Sequence, residues 1–237
     1  MRLLEAIIDA NHRAVAGDPN VGLHPAEFAD SLPLVALTCL DPRLNQLFPQ
    51  ALGVPSDQFI WVRNAGNVIT GPLSSTVRSV ALACAVKHGK EIVIIGHTRC
   101  EIIGATTSRL IDIFAAMGVP RRMLPENLAE FFGMSGSERQ NILKACEFLR
   151  GSPLIPSCIP VHGLLADTET GKLEWLVNGY ENSQSTTAQP NPVLGAAAEA
   201  FDALKGLAEF KIEEMKWPET KIGEVVTKAG EWLAGQT

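Results

Sequence analysis

The chain has 237 residues, of which 46% are hydrophobic and 19% are charged, so it can bury a sizeable core and is expected to be globular. Twenty-six acidic side chains outnumber twenty basic ones and give a net charge of -6, which leaves no broad cationic face. This balance argues against nucleic acid and anionic membrane surfaces as partners.

The apolar runs are too short for a membrane span, which requires about 20 residues. Residues 1–17 place Glu5, Asp9 and His12 among apolar positions, a pattern typical of an amphipathic helix and not of a secretory signal. We therefore expect a cytoplasmic protein that does not contact a membrane.

Four short apolar runs are typical of buried parallel strands: residues 33–40, 58–62, 91–96 and 158–165. Helical patterns separate them: residues 44–51, residues 74–88 with Gly89 at the end, a helix directly after Cys100, and residues 138–150. This alternation predicts an α/β fold with a mainly parallel sheet and helices on both faces. Functional residues are then expected at the carboxyl ends of the strands.

The pattern changes near residue 180. Residues 179–192 are polar and rich in helix-breaking residues, which indicates a linker. Residues 193–215 and 220–233 then show apolar positions at helical spacing. We expect an α/β domain over residues 1–180, followed over 181–237 by a linker and a helical extension that packs on this domain or on a second subunit.

Three candidate metal ligands follow two of the predicted strands. Cys39 ends the first strand, and His97 and Cys100 follow the third. Two thiolates and one imidazole suit zinc, and three protein ligands leave the fourth tetrahedral position open for chemistry. The alternative is a buried strand cysteine, a loop histidine and a helix-start cysteine without a metal. The other cysteines are predicted to be buried structural thiols: Cys84, Cys146 and Cys158.

Asp41 and Arg43 lie two and four residues beyond Cys39, close enough to form a charge-assisted pair. Such a carboxylate can orient a metal-bound hydroxide. The same residues are also compatible with an ordinary Asp-Pro turn followed by a helix.

Four segments together resemble β-class carbonic anhydrases. Residues 39–43 resemble the family's C-x-D-x-R motif, residues 96–100 its G-H-x-x-C motif, and residues 63–67 its R-N-A-G-N motif. Residues 161–163, with residues 170–173, resemble its closing strand and hairpin. The order and the separation of the four segments also fit, and motifs in register are more specific than any one of them.

The resemblance implies a doubly wound sheet, Zn2+ held by Cys39, His97 and Cys100, and a dimer or larger homo-oligomer with active sites at the subunit interface. It also implies that Asp41, paired with Arg43, accepts a hydrogen bond from zinc-bound hydroxide. The implied reaction is the reversible hydration of carbon dioxide to bicarbonate. The loop over residues 63–67 would border the substrate cavity and the dimer contact, through Arg63, Asn64, Ala65 and Gly66.

Glu101 departs from the family pattern, in which a glycine follows the second cysteine. It either lies at a helix start and faces solvent, or points inward and narrows the cavity. The second case favours another heteroallene substrate, carbonyl sulfide or carbon disulfide, at the same zinc site. A third hypothesis is a catalytically silent, zinc-stabilised subunit whose helical tail binds a partner protein.

Overall fold

The computed structural model describes residues 1–19, 21–134 and 136–182. The chain divides into two units, Met1–Gln189 and Pro190–Thr237, and only the first contains described residues. The predicted helices at 193–215 and 220–233 lie outside the described residues, and their packing stays a prediction. None of the helices in the described ranges is long and apolar enough to cross a membrane.

In the described part of the chain, five strands form one sheet in the order β2-β1-β3-β4-β5. β1 pairs in parallel with β2 and β3, β3 pairs in parallel with β4, and β5 closes the sheet antiparallel to β4. The predicted mainly parallel sheet is confirmed, with strand ends displaced by up to three residues. The strands are β1 (Leu34–Cys39), β2 (Phe59–Asn64), β3 (Glu91–His97), β4 (Val161–Ala166) and β5 (Leu173–Val177).

Helices cover both faces of this sheet, as predicted. Side chains alternate between the two faces of a strand, so Leu34 and Ala36 of β1 join one core while Val35 and Leu37 join the other. The first two helices pack in the first core, and the third and sixth pack in the second. The α-helices within residues 1–182 are α1 (Leu3–Val15), α2 (Leu44–Leu52), α3 (Ser75–Lys87), α4 (Thr107–Ala116), α5 (Leu128–Phe131), α6 (Glu138–Arg150) and α7 (Gly179–Asn182).

Helix α3 shows how local chemistry sets an element's ends. The Ser74 hydroxyl accepts a hydrogen bond from the amide of Val77 and caps the amino end. The left-handed residue at the carboxyl end is His88, at φ 59°, and not the predicted Gly89. Gly89 is needed for packing instead, because a Cβ at this position would collide with the Val35 side chain.

Three sequence predictions need correction. The helix expected directly after Cys100 begins only at Thr107, where the Thr106 hydroxyl caps it, and turns fill the interval. Cys158 is exposed and not buried. The first four residues of the predicted linker form α7, in which the buried Tyr180 hydroxyl accepts a hydrogen bond from the Leu4 amide.

Candidate metal centre

The parallel pairing of β1 and β3 brings the three predicted ligands together. Cys39 is the last residue of β1, His97 is the last of β3, and Cys100 follows three residues later. Their ligand atoms all lie within 4.8 Å of one another, and the two sulfurs are 3.9 Å apart. All three side chains are buried, so the strand ends place two thiols and one imidazole in a common position below the surface.

The imidazole of His97 is oriented by the backbone. Its Nδ1 donates a hydrogen bond to the carbonyl oxygen of Thr98 at 3.0 Å, which leaves Nε2 with a lone pair. Nε2 is fully buried and has no hydrogen-bond partner among the described residues. A buried polar atom without a partner is costly unless something else satisfies it, and metal-binding histidines show this arrangement of the two nitrogens.

The Cys39 and Cys100 sulfurs share one hydrogen bond, which favours a thiolate at Cys39. A hydrogen bond from Cys100 is the largest cause that lowers the pKa of Cys39, to about 4, with further contributions from the backbone at Asp41 and Gly66. The same contact raises the pKa of Cys100, because the pair holds one proton between its sulfurs. The Gly66 amide donates to the Cys39 sulfur at 3.3 Å. Two sulfurs and an available imidazole nitrogen fit the ligand set of zinc.

Asp41 and Arg43 form the predicted ion pair at the edge of this group. Arg43 donates to both carboxylate oxygens of Asp41, at 3.0 Å from Nε and 2.7 Å from Nη2. Asp41 Oδ2 lies 4.0 Å from His97 Nε2, so the carboxylate is adjacent to the converging ligand atoms. Hydrogen bonds from the Arg43 side chain lower the pKa of Asp41 to about 2, so the carboxylate is ionised near neutral pH.

The loop after β2 contacts the cluster through its backbone. Gly66 has φ 70°, a left-handed conformation that favours glycine, and a Cβ there would lie 2.8 Å from Ile103 Cδ1. Asn64 donates to the Val68 carbonyl and the Thr76 hydroxyl, which secures the turn. The Arg63 guanidinium lies over the Trp61 ring, 5.5 Å from its centroid. Gly66 is therefore the residue of this loop that reaches a candidate ligand.

A cavity of about 240 Å3 lies beside the loop after β2 and the loop after β3, and its lining is largely apolar. Of the residues predicted to border a substrate cavity, Ala65 and Glu101 line this one. Glu101 is exposed and lies in a turn, so it does not begin a helix as one of the two interpretations assumed. The apolar part of the lining comes from residues in the turn after Cys100, in α4 and after α5: Ile102, Ile103, Leu110, Ile113, Phe132 and Met134.

Two residues near the site were missed by the sequence analysis. Glu138 accepts a hydrogen bond from the Cys100 amide at 3.2 Å, and Asn141 donates to the Gly66 carbonyl at 2.7 Å. Both belong to the first turn of α6, which is distant from every motif in the sequence. The capping pattern of Ser137 indicates where this helix begins, but not which loops its first turn contacts.

The fold and the donor set define an α/β protein with a candidate zinc centre at the carboxyl edge of its parallel strands. A family model described as "Carbonic anhydrase" matches residues 34–173, more than half of the chain. The chain belongs to the β-carbonic anhydrase family, which confirms the resemblance identified in the sequence.

Individual relatives carry two kinds of name. The Bacillus subtilis protein "Putative carbonic anhydrase YvdA" is 32% identical over 186 residues, covering 75% of this chain and 93% of that protein. A carbon disulfide hydrolase of Acidianus sp. is 28% identical over 158 residues, covering 59% and 75%. The β-carbonic anhydrase isoform I of Trichomonas vaginalis superposes with a TM-score of 0.59 at 29% identity, over 76% of this chain and 100% of that one.

Proposed function

We propose that this chain is a zinc-dependent carbonic anhydrase that reversibly hydrates carbon dioxide to bicarbonate. Family membership supports an enzyme, either a carbonic anhydrase or a related hydrolase. The observation that carries the proposal is the buried Nε2 of His97, which lacks a hydrogen-bond partner among the described residues and lies beside two sulfurs and an ionised Asp41.

The residues of this site have two different roles, metal binding and orientation of the attacking water. Cys39, His97 and Cys100 would hold zinc, which when bound supplies a Lewis acid that makes water acidic enough to attack near neutral pH. Arg43 keeps Asp41 ionised and points its carboxylate towards the converging ligand atoms. In this position Asp41 accepts a hydrogen bond from the attacking water and so orients its lone pair towards the substrate carbon.

The test is a hydration assay on purified protein whose zinc content has been measured. Proton release from carbon dioxide is expected at a rate well above the uncatalysed one, together with one zinc per chain. The Asp41→Asn variant should keep its zinc and lose roughly 10- to 100-fold in rate, because it keeps the shape of the side chain but not its charge. Stoichiometric zinc without turnover would contradict the proposal and favour the silent subunit.

A second candidate function is hydrolysis of carbon disulfide or carbonyl sulfide at the same centre. The largely apolar cavity beside Ala65 and Glu101 is compatible with this function, because carbonyl sulfide and carbon disulfide are weakly hydrated neutral molecules, whereas a carbonic anhydrase must also accommodate the bicarbonate ion. The curated relatives that are named carbon disulfide hydrolases give it further support. All three substrates are heteroallenes attacked at the central carbon, so the zinc ligands do not discriminate among them.

Sulfide release, measured beside proton release, separates the two functions. Rapid hydration with little sulfide would identify carbon dioxide as the substrate, whereas sulfide release with weak hydration would identify a sulfur substrate. The Phe132→Ser variant adds a polar group to the cavity lining and should reduce sulfide release more than hydration. Equal effects on both reactions would show that this cavity does not select the substrate.

We also propose that the chain forms a homodimer or a larger homo-oligomer. Within the described residues, β2 pairs with β1 alone, so one of its edges carries unpaired backbone groups. Ile60, Trp61 and Val62 on this strand are only partly buried. Light scattering coupled to size exclusion should give at least twice the monomer mass, and a monomeric protein would contradict this assembly.

A further inference from the structure

The first turn of helix α6 contacts two loops of the candidate metal centre, the loop after β2 and the loop after β3. The Asn141 side chain is 5% exposed and donates to the carbonyl oxygen of Gly66 at 2.7 Å. The amide of the same glycine donates to the Cys39 sulfur at 3.3 Å. Asn141 therefore holds Gly66 through its carbonyl oxygen, while the Gly66 amide donates to the candidate ligand Cys39.

Glu138 contacts the backbone of Cys100, the residue that carries the second sulfur. Its Oε1 accepts a hydrogen bond from the Cys100 amide at 3.2 Å. Residues three apart lie on one face of a helix, so Glu138 and Asn141 face the centre together. One face of one helical turn thus contacts the Gly66 carbonyl in the loop after β2 and the Cys100 amide in the loop after β3.

The position of α6 is itself fixed by core packing. Ile142 is fully buried, and a Cβ on Gly96 of β3 would lie 2.5 Å from its Cδ1. A Cβ on Gly163 of β4 would lie 2.8 Å from its Cγ2. Both glycines let the helix approach the sheet closely, and close packing of this kind resists displacement. The polar turn is therefore anchored to β3, which ends in His97, and to the neighbouring strand β4.

We propose that Glu138 and Asn141 are positioning residues that hold the two cysteine ligands in register for metal binding. The inference rests on the proposed zinc site and adds residues outside the four motifs. The bond from the Gly66 amide draws charge from the Cys39 sulfur and fixes its direction, and Asn141 maintains this geometry. Glu138 fixes the backbone of Cys100, and with it the direction in which that sulfur points.

A purely structural role is the competing explanation. Glu138 lies in the first turn of α6, where a carboxylate interacts favourably with the helix dipole, and the buried Asn141 amide contributes to packing. Such a role would change the free energy of unfolding but leave the geometry of the ligands unchanged. The discriminating measurements must therefore report on the metal itself.

The experiment compares four variants of the full chain: Glu138→Ala, Glu138→Gln, Asn141→Ala and Lys144→Ala. Glu138→Gln keeps an acceptor oxygen for the Cys100 amide, so it serves as the conservative rescue. Lys144→Ala changes an exposed side chain on the same helix, one turn beyond Asn141. Two quantities are measured: the rate of zinc transfer to a coloured chelator, and the thiolate-to-cobalt charge-transfer absorption of the cobalt-loaded protein.

Glu138→Ala and Asn141→Ala should release zinc about tenfold faster than the unmodified chain or more, with altered charge-transfer absorption. Glu138→Gln and Lys144→Ala should stay within about threefold, because the hydrogen bond is kept or was never involved. Unchanged release and spectra in both alanine variants would overturn the inference. If Asn141→Ala does not fold, the difference in zinc release between Glu138→Ala and Glu138→Gln decides whether this turn of α6 positions the ligands.

Failure of the zinc site itself would look different. An unmodified chain that bound neither zinc nor cobalt would refute the proposed metal centre, and this inference with it. A chain that bound zinc tightly but turned over no heteroallene would refute the proposed reaction only, and the chelator measurement would still decide whether Glu138 and Asn141 position the ligands.

Discussion

Arg43 binds the carboxylate of Asp41 through two nitrogens and also donates to the carbonyl oxygen of Arg99 at 3.0 Å. Arg99 has φ 56° and lies between the candidate ligands His97 and Cys100. A single guanidinium therefore connects the loop after β1 to the loop after β3. Its removal should disturb both the charge of Asp41 and the backbone of the second loop.

Replacement of Arg43 should change how the free energy of unfolding depends on pH, because Arg43 lowers the pKa of Asp41. Arg43 lowers the pKa of Asp41 to about 2 in the folded protein, against about 3.9 in an unfolded chain. The pair therefore stabilises the fold fully above about pH 4, and this contribution is lost as the pH falls towards 2. Arg43→Gln should lower the urea midpoint by a constant amount above about pH 5, with a difference that shrinks in acid.

Arg139→Gln is the control for this measurement. It removes another arginine–carboxylate pair, with Glu174, in which both side chains are about half exposed. Exposed pairs contribute little to stability. Hydration activity should fall roughly 10- to 100-fold in Arg43→Gln and stay unchanged in Arg139→Gln. Equal losses of activity in the two variants would show that Arg43 acts only through general surface charge.

Single substitutions of the candidate ligands should abolish tight zinc binding. Cys39→Ser, His97→Asn and Cys100→Ser each remove one of the three donor atoms that lie within 4.8 Å of one another. Zinc per chain, measured by elemental analysis after dialysis, should fall from about one to near zero. Cys158→Ser removes an exposed thiol and should keep the full complement of zinc. Retention of zinc in all three ligand variants would place the metal elsewhere.

Gly66→Ala should destabilise the fold and the site together. An alanine there must adopt φ 70°, and its Cβ would meet Ile103 Cδ1 at 2.8 Å. Gly118 also has a positive φ, 84°, but a Cβ on it meets nothing within 4 Å. Gly118→Ala should therefore cost about 1 kcal/mol of unfolding free energy and Gly66→Ala up to about 3 kcal/mol. Equal costs in urea unfolding would mean that Ile103 moves aside freely.

Tyr180 offers a test at the opposite end of the sheet. Its buried hydroxyl donates to Glu91 at 2.8 Å and accepts from the Leu4 amide at 3.2 Å. Burial raises the pKa of this tyrosine above its usual value. The stabilising contribution is therefore present below about pH 10 and is lost as the pH rises further.

The measurement uses the fact that the chain has one tyrosine. Tyrosinate absorbance should appear together with alkaline unfolding and not in a separate, earlier transition near pH 10. Tyr180→Phe should lower the free energy of unfolding by about 1–3 kcal/mol, because the Leu4 amide and Glu91 lose a buried partner. A tyrosine that titrates normally while the fold is intact would contradict its burial.

The sequence was sufficient to predict the sheet and the convergence of the three candidate ligands. Val93, Ile94 and Ile95 lie in a run that forms a fully buried strand, and parallel strands place their carboxyl ends at one edge. Cys39 and His97 therefore had to approach each other. The pairing of Asp41 with Arg43 also followed from spacing, because a turn brings residues two apart within reach.

Features that depend on tertiary contacts were not predictable in the same way. No local pattern shows that α6 reaches the Gly66 and Cys100 loops, because those contacts join residues 75 and 38 positions apart. The delayed start of α4 reflects the turns over 101–104 and the cap by Thr106, which compete with the helical pattern. Cys158 follows a proline-rich turn outside β4, so its apolar neighbours did not imply burial.

The strand order has a consequence for synthesis of the chain. β1 is made first but lies between β2 and β3, and two of the three candidate ligands arrive only with the end of β3 and the loop after it. Glu138 and Asn141, which contact the Cys100 amide and the Gly66 carbonyl, emerge later still. A nascent chain therefore carries Cys39 as its single candidate ligand for about sixty residues, and the three donor atoms can converge only after β3 and the loop that follows it have been made.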